Sequence, residues 1–209
     1  MLERGMNGFS SLLANPTMVR LQSALSAHQP LEVNEEGVRR AAVALIFRAG
    51  EEARPELLFI KRAEYPGDPW SGQIAFPGGR EEQGDTSLVE TAMRETREET
   101  GIDLARDGKM IGTLDDLYPR TVRLPAISVR PFVFALEPGE PLTLSSEVAL
   151  AFWIPFGSLT HTEAWRDDTV FARGIQINAR VFRHQDHVIW GMTERILAQL
   201  LRLVGETTN

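Results

Sequence analysis

One stretch of the sequence decides the fold: Gln73-Ile-Ala-Phe-Pro-Gly-Gly-Arg-Glu-Glu-Gln-Gly-Asp-Thr-Ser-Leu-Val-Glu-Thr-Ala-Met-Arg-Glu-Thr-Arg-Glu-Glu-Thr-Gly-Ile102. A short apolar run at its start ends in Pro77-Gly-Gly, which is a strong turn signal. Apolar residues then recur at helical spacing after Thr86 or Ser87, either of which can cap a helix, and Gly101 is suited to end it. The stretch therefore predicts a strand, a loop and a helix with a defined end.

The charged face of this predicted helix is unusual. Glu95, Glu98 and Glu99 stand at positions i, i+3 and i+4, so their carboxylates share one side of about one helical turn. Like charges at this spacing repel each other and destabilise an isolated helix. Arg94 and Arg97 flank the glutamates and offset part of the repulsion, but a divalent cation would offset far more. A solvated, salt-bridged helix face is the alternative interpretation of the same residues.

The chemistry of Mg²⁺ suits this cluster. The ion takes hard oxygen ligands in near-octahedral geometry, and it usually keeps water molecules and substrate phosphates among them. The loop before the helix contains the flexible pair Gly78-Gly79, so a backbone carbonyl there can approach the same ion. The sequence thus predicts a magnesium site at the junction of loop and helix.

The segment resembles the Nudix box, whose pattern is Gly-x5-Glu-x7-Arg-Glu-U-x-Glu-Glu-x-Gly-U, with U an apolar residue. The second half fits as Arg94-Glu-Thr-Arg-Glu-Glu-Thr-Gly-Ile102, with Thr96 at a position that is usually aliphatic. Gly79 lies fifteen residues before Arg94, one more than in the pattern, and Asp85 takes the acidic position. We interpret this as a one-residue insertion in the loop that leaves the helix intact.

Within the family, several features resemble the branch of coenzyme A pyrophosphatases. These are Phe76-Pro-Gly-Gly, the box that is longer by one residue, and the step Ile189-Trp-Gly into a terminal helix. The loop before Gly72 departs from that branch, because Asp68 and Trp70 stand where it typically carries Arg and His. The departure means that the sequence does not decide whether coenzyme A is the substrate. It does not affect the hydrolase interpretation.

The resemblance implies roles for particular residues. Glu95, Glu98 and Glu99 would be ligands of Mg²⁺ or Mn²⁺, and the carbonyl of Gly79 would be a further one. Arg94 would orient these carboxylates through salt bridges. Glu98 and Arg94 are counted among the catalytic residues. A general base is also needed, and the candidate is a distant glutamate before an apolar segment that ends in Trp153-Ile-Pro. That glutamate is Glu147, which serves as base or as metal ligand, or else is only a residue near a helix cap.

Other residues are candidates for contacts with the substrate. Arg39 and Arg40 stand at the mouth of a predicted strand, where they would meet a phosphate or carboxylate unless they are plain surface charges. Trp70 would stack on the substrate or simply pack. Three further arginines bring positive charge suited to phosphate: Arg120, Arg123 and Arg130. His184 and His187 bracket Asp186, but a spacing of three on an extended segment makes a poor chelate.

Composition limits the functional class. The chain has 209 residues, which suits one domain, and its net charge of −7 argues against a nucleic-acid surface. It contains no cysteine, which excludes disulfides and thiolate catalysis, and no apolar run approaches a membrane span. The N-terminus lacks the apolar core of a signal peptide. We therefore expect a cytoplasmic protein that does not act at a membrane.

The order of predicted elements indicates an α+β fold with a mixed β-sheet between α-helices, an α/β/α sandwich. The resemblance implies the Nudix fold specifically. Residues 1–37 are predicted to be an N-terminal extension with a helix beginning at Pro16-Thr and ending before Pro30, and residues 38–209 the Nudix hydrolase domain. The apolar residues of the N-terminal helix suggest a homodimer.

The function implied by the resemblance is Mg²⁺- or Mn²⁺-dependent hydrolysis of a nucleoside diphosphate linked to a group X. Coenzyme A and its derivatives are one candidate substrate class. ADP-ribose, dinucleotide polyphosphates and nucleoside triphosphates are the second. A catalytically silent Nudix domain that binds a ligand is the third alternative, and retention of all three helix glutamates opposes it.

Overall fold

The computed structural model describes residues 9–68, 70–119, 126–139, 141–172 and 175–205. Arg120 and Arg123 lie outside the described residues. The helices are α1 (Pro16–Ala27), α2 (Leu88–Thr100), α3 (Leu104–Asp107), α4 (Phe156–Leu159) and α5 (Gly191–Leu203). The strands are β1 (Arg39–Ala49), β2 (Pro55–Arg62), β3 (Ile74–Ala75), β4 (Gly78–Arg80), β5 (Gly108–Thr113), β6 (Ile127–Leu136), β7 (Val148–Pro155), β8 (Trp165–Ala172), β9 (Ile175–His184) and β10 (His187–Trp190).

A fork between two strands organises the larger sheet. Its order is β3-β2-β1-β6-β5, with β4 paired to β1 and β7 paired to β2. Strand β1 runs parallel to β6 and antiparallel to β2, so the sheet is mixed and the predicted β1–β2 hairpin is present. Residues 47–49 of β1 pair with β2, whereas residues 41–43 pair with β4. Strands β1 and β2 therefore separate beyond this short paired region. The short strands β4 and β3 lie between them, β4 paired with β1 and β3 paired with β2.

Side chains of β1 alternate between two hydrophobic layers. Leu45 and Phe47 belong to the core shared with α1, α5 and the antiparallel sheet β10-β9-β8. Ala44 and Ile46 belong to the core on the opposite face, where α2 packs. Successive residues of a strand point to opposite faces, so a continuous apolar run indicates burial on both. The observed layers confirm the predicted α+β class with helices on both faces of a mixed sheet.

The ends of α2 follow from local chemistry. Ser87 is the N-terminal cap, since its side chain accepts a hydrogen bond from the amide of Glu90 at 3.4 Å. Thr86 instead donates its hydroxyl to the carboxylate of Glu90 at 2.6 Å. Gly101 ends the helix in the left-handed region with φ of 77°, and its amide donates to the carbonyl of Arg97. Both predicted ends of the helix thus match the structure.

Helix α1 is part of the same core as the large sheet. Its buried side chains are Met18, Leu21 and Leu25, and Asn15 caps it by accepting a hydrogen bond from the amide of Thr17. The apolar face is therefore used within the chain, which removes the reason for expecting a dimer. The dimer and the domain boundary at residue 38 both stay predictions. Among the described helices, none combines the length and apolarity that crossing a membrane would require.

The backbone at Gly101 gives a stability prediction. Gly101→Ala should lower the free energy of unfolding by about 1 kcal/mol, because a left-handed conformation is costly for a residue with a Cβ. The added Cβ would also lie 3.1 Å from the Cβ of Thr143. Urea denaturation measures the loss. Gly157→Ala is the matched control, since nothing lies within 4 Å of its Cβ position. Equal stability of the two variants would contradict the account.

Candidate functional site

A cavity of about 490 Å³ lies at the fork of the large sheet. Its walls come from α2, the strands β3 and β4, the loop before β7 and the first turn of α5. Six of the residues predicted to form the site line it: Trp70, Gly79, Glu95, Glu98, Glu99 and Glu147. Apolar side chains of β1, β6 and α5 form the floor: Val43, Ile127, Val129, Met192 and Ile196. The cavity therefore has an acidic wall above an apolar floor.

Glu99 is the most deeply buried of the carboxylates, with 3% of its surface exposed. It accepts a hydrogen bond from the amide of Gly78 at 2.9 Å, and the guanidinium of Arg62 lies 3.8 Å away. Burial raises the pKa of Glu99 to about 7, and these two contacts counter the rise only in part. Glu99 is thus a carboxylate that a nearby cation would stabilise in its charged form.

Asp85 holds one edge of the Arg94 guanidinium in place. Its Nε and Nη2 atoms donate to the two oxygens of Asp85, each at 3.0 Å, and Nη2 also donates to the carbonyl of Arg80 at 3.0 Å. Thr91 and the amide of Glu82 complete the donors to Asp85, each at 2.9 Å. Hydrogen bonds from Arg94 hold the pKa of Asp85 well below its usual range. Asp85 therefore fills the acidic position despite the longer loop.

The remaining edge of Arg94 contacts two of the helix carboxylates. Its Nη1 lies 3.1 Å from Oε1 of Glu95 and 3.2 Å from Oε2 of Glu98. Burial raises the pKa of Glu95, with Arg94 opposing the rise. Across the described part of the chain, no three Asp, Glu, His or Cys side chains already converge as ligands of one metal ion. Glu95 and Glu98 instead point toward Arg94, and Glu99 toward the Gly78 amide.

The donor set still fits a hard divalent cation. All the candidate ligands are oxygens, which Mg²⁺ and Mn²⁺ prefer, and several carboxylates share one cavity. A Cβ at Gly79 would collide with the carboxylate of Glu95, so the backbone there lies directly against that side chain. A buried carboxylate with a raised pKa, Glu99, completes the set.

Hydrogen bonds to the end of α2 position Glu147. The amide of Ser145 donates to the carbonyl of Glu99 at 3.1 Å, and the amide of Thr143 donates to that of Thr100 at 2.9 Å. The loop before β7 is thereby joined to the last turn of the helix. Glu147 lies close enough for its charge to raise the pKa of Glu99 further. The structure thus brings this distant glutamate to the helix carboxylates.

The loop after β2 is held by Asp68. Its carboxylate accepts hydrogen bonds from Arg62 and from the amide of Trp70, each at 3.0 Å. Trp70 is partly buried against the main core and also lines the cavity. Packing and substrate contact are therefore both compatible with its position. Arg62 joins Asp68 on one side and Glu99 on the other, so the loop and the acidic wall are connected.

Several predicted contacts are not brought to the cavity. Arg39 and Arg40 do not line it, and Arg40 forms an ion pair with Glu81 in which Nε donates at 2.8 Å. Their proposed contact with the substrate gains no support. Arg130 is occupied by Asp116, to which its Nε donates at 2.7 Å.

Sequence reasoning missed Arg80. Its side chain lines the cavity, and within the described residues no acidic group lies within 4.0 Å of its guanidinium. The signal was present, since Arg80 directly follows the glycine pair of the box. His187 stacks on Phe152 with ring centroids 4.0 Å apart, which agrees with a packing role rather than a metal pair with His184.

Known proteins resemble this chain in sequence and in fold. The model of the NUDIX domain matches residues 37–174. Two relatives called "Uncharacterized Nudix hydrolase NudL", from Escherichia coli O7:K1 and Citrobacter koseri, are 28% and 29% identical over 188 residues, 88% of this chain and 95% of each relative.

A solved structure of a MutT/nudix family protein from Enterococcus faecalis matches with a TM-score of 0.51 and 16% identity, over 85% of this chain and 71% of that one. This second likeness concerns the fold alone. The predicted Nudix resemblance is confirmed, whereas the coenzyme A branch stays a prediction. The chain belongs to the NUDIX domain family.

Proposed function

We propose that this chain hydrolyses a phosphoanhydride bond in a nucleoside diphosphate linked to a group X, with Mg²⁺ or Mn²⁺ as cofactor. The observation that carries the proposal is the set of four carboxylates on one cavity wall, Glu95, Glu98, Glu99 and Glu147. The family and the names of the relatives support hydrolysis. So much acid around one cavity is unfavourable unless cations and their ligands enter it.

Residues of α2 and β4 would hold the cation. Glu95, Glu98 and Glu99 would supply carboxylate oxygens, and Gly79 would supply its carbonyl. A divalent ion held there would neutralise charge on the diphosphate and make water easier to deprotonate. Arg94 would keep the carboxylates oriented while Asp85 balances its charge.

A second group must accept the proton of the attacking water. Glu147 and Glu98 are the candidates, since both line the cavity and neither is buried like Glu99. Arg62 and Arg80 line the same cavity and would contact phosphate oxygens, for which guanidinium is suited. The apolar floor offers a surface for a sugar or base.

The substrate class has two candidates. Phe76-Pro-Gly-Gly, the longer box and Ile189-Trp-Gly favour coenzyme A or its derivatives. Asp68 favours ADP-ribose, a dinucleotide polyphosphate or a nucleoside triphosphate, because its carboxylate stands where the coenzyme A branch typically has a cation. A panel of these compounds with Mg²⁺ or Mn²⁺, with products identified by mass, separates the two. Tight binding without any turnover would favour the silent ligand-binding domain instead.

Glu99→Gln tests the proposed metal site. Removing this charge should lower turnover by roughly 100-fold or more, since the cation loses an anionic ligand and keeps at most a neutral amide oxygen. The measurement is phosphate or nucleotide release in Mg²⁺ with the best substrate of the panel. Glu51→Gln is the control, because Glu51 is exposed and lies far along the chain from the box. Undiminished activity of Glu99→Gln would refute the assignment.

The raised pKa of Glu99 gives a prediction for the metal-free protein. The native state holds a proton on Glu99 up to about pH 7, whereas the unfolded chain releases it near the ordinary glutamate pKa of 4.5. The native state thus binds more protons between these values, so this group lowers the free energy of unfolding as pH rises.

In chelator, wild type should therefore lose stability relative to Glu99→Gln between about pH 5 and about pH 8. Urea denaturation across that range measures the difference. In the exposed variant Glu51→Gln, the free energy of unfolding should change with pH in the same way as in wild type. A constant difference between wild type and Glu99→Gln at every pH would contradict the electrostatic account.

Asp85→Asn tests the positioning of Arg94. Without the carboxylate, the charged hydrogen bonds from Nε and Nη2 of Arg94 to Asp85 are lost. The guanidinium beside Glu95 and Glu98 is then no longer held in place. Activity or Mg²⁺ affinity should fall by between about 10-fold and 100-fold. The Mg²⁺ concentration for half-maximal activity is the readout that a purely structural role would leave unchanged.

Asp107→Asn is the matched control for that variant. It breaks a pair with Arg106 at the exposed surface, and such pairs contribute little. In Asp85→Glu, the Mg²⁺ concentration for half-maximal activity should return part of the way to the wild-type value, because the negative charge beside Arg94 is restored. An Mg²⁺ requirement unchanged in Asp85→Asn would mean that Arg94 needs no such support.

A further inference from the structure

A second cavity of about 550 Å³ adjoins the first. It lies between the loop that precedes β3 and the small sheet formed by β8, β9 and β10. Asp68, Gln73 and Ile74 line both cavities. Its volume is within the range of small-molecule sites. A ligand held at the carboxylates of the first cavity can therefore extend past these shared residues into the second.

Lys61 is the cation that the second cavity leaves available. The pairing of β2 with β7 shifts register between Lys61 and Arg62, and the two side chains line different cavities, Arg62 the first and Lys61 the second. Lys61 is partly buried, and within the described residues it has no acidic group within 4.0 Å. Arg183, the other basic residue of this cavity's lining besides His187, is paired with Asp168 at 2.5 Å. A partly buried ammonium without a partner favours an anionic ligand.

An exposed aromatic side chain stands at the same cavity. Phe171, near the end of β8, has 74% of its surface exposed, the largest exposure among the large hydrophobic residues described. Trp190 lines the cavity as well. His187 is fixed there by its stacking on Phe152. A planar ring bound against these residues would remove apolar surface from water. Among its described residues, the cavity thus combines the ammonium of Lys61 with aromatic surface. Two carboxylates line it as well, Asp68, which is paired with Arg62, and Asp186.

We propose that the second cavity binds the group X at the far end of the substrate, and that X carries a planar ring with an anionic group paired to Lys61. The inference rests on the proposed function, since the carboxylates of the first cavity would act on the diphosphate to which X is linked. It assigns Lys61 and Phe171 to substrate specificity and leaves the reaction to the first cavity. Compounds with a diphosphate but no second group would not reach Lys61.

The test exploits a property of the composition: Lys61 and Lys109 are the two lysines of the chain. Lys61→Met should raise KM at least 10-fold for the two-ended compound diadenosine tetraphosphate and leave kcat within about 3-fold. KM for ATP, a one-ended compound, should stay the same. Lys109→Met is the matched control and should change neither value, because Lys109 is exposed on β5.

Amine acetylation followed by mass spectrometry gives a readout independent of turnover. Saturating diadenosine tetraphosphate, with Ca²⁺ in place of Mg²⁺, should slow acetylation of Lys61 several-fold and leave Lys109 unaffected. ATP should protect neither lysine. Labelling uses the wild-type chain, so a folding defect in a variant cannot mimic the result.

The outcomes separate the two proposals. Absence of phosphoanhydride hydrolysis with every compound would overturn the proposed function and this inference with it. Hydrolysis of ATP alone, or of two-ended compounds with KM unchanged in Lys61→Met and no protection of Lys61, would overturn only the inference. An equal rise of KM for ATP would also overturn it, because Lys61 would then contact the phosphates common to all the compounds.

Discussion

Repulsion among Glu95, Glu98 and Glu99 is the constraint on which the rest of the site depends. The chain places three like charges within about one turn and then has to keep that turn helical. It does so with Arg94, whose Nη1 reaches Glu95 and Glu98, and with the amide of Gly78, which donates to Glu99. The helix and the preceding loop therefore stabilise each other.

The inserted residue in the loop is tolerated because Asp85 still reaches Arg94. Both oxygens of Asp85 accept from the guanidinium, and Thr91 and a backbone amide supply further donors. An Arg–Asp pair removed from water offsets its desolvation cost only when the remaining hydrogen-bonding positions are also satisfied. In this protein they are satisfied, so the short side chain of Asp85 is fully hydrogen-bonded to Arg94, Thr91 and the amide of Glu82.

The fork between β1 and β2 determines where chemistry is possible. Because the strands separate, the cavity opens across the edge between two hydrophobic layers and receives side chains from both. Val43 and Ile127 come from the layer that contains α5, whereas the glutamates come from the layer that contains α2. An acidic wall beside an apolar floor is the direct result. At the register shift in β2, Arg62 lines this cavity and Lys61 the second one.

Local rules were sufficient for much of this architecture. Ser87, Gly101 and the helical spacing between them define α2 from sequence, and the buried Thr96 at an aliphatic position is explained by its hydroxyl, which donates to the carbonyl of Ala92 at 2.7 Å. Strand β8 was not predicted, because its alternating polar residues carry no clear apolar pattern and its pairing with β9 is what forms it.

Contacts between distant residues explain the other differences. Arg40 finds Glu81 only because β1 and β4 lie side by side, and nothing in the local sequence indicates that pairing. Asp68 likewise acquires Arg62 as its partner through the folding of the loop after β2. Glu147 reached the cavity as the resemblance implied, but the hydrogen bonds of Ser145 and Thr143 to the end of α2 are what place it there. Sequence patterns therefore identified the acidic residues better than the cations.

Under the proposed function, the charge balance of the first cavity would link the binding of substrate to the binding of a divalent cation. Acidic side chains outnumber the arginines that line it, Arg62 and Arg80, and the chain as a whole carries −7. A diphosphate brought into that field alone would be repelled, and burial of Glu99 already favours a proton there at neutral pH. A divalent ion, a proton and the positive side chains thus compete to neutralise the same carboxylates. Only the first of these also presents positive charge toward an incoming phosphate, so affinity for substrate and affinity for the ion must rise together.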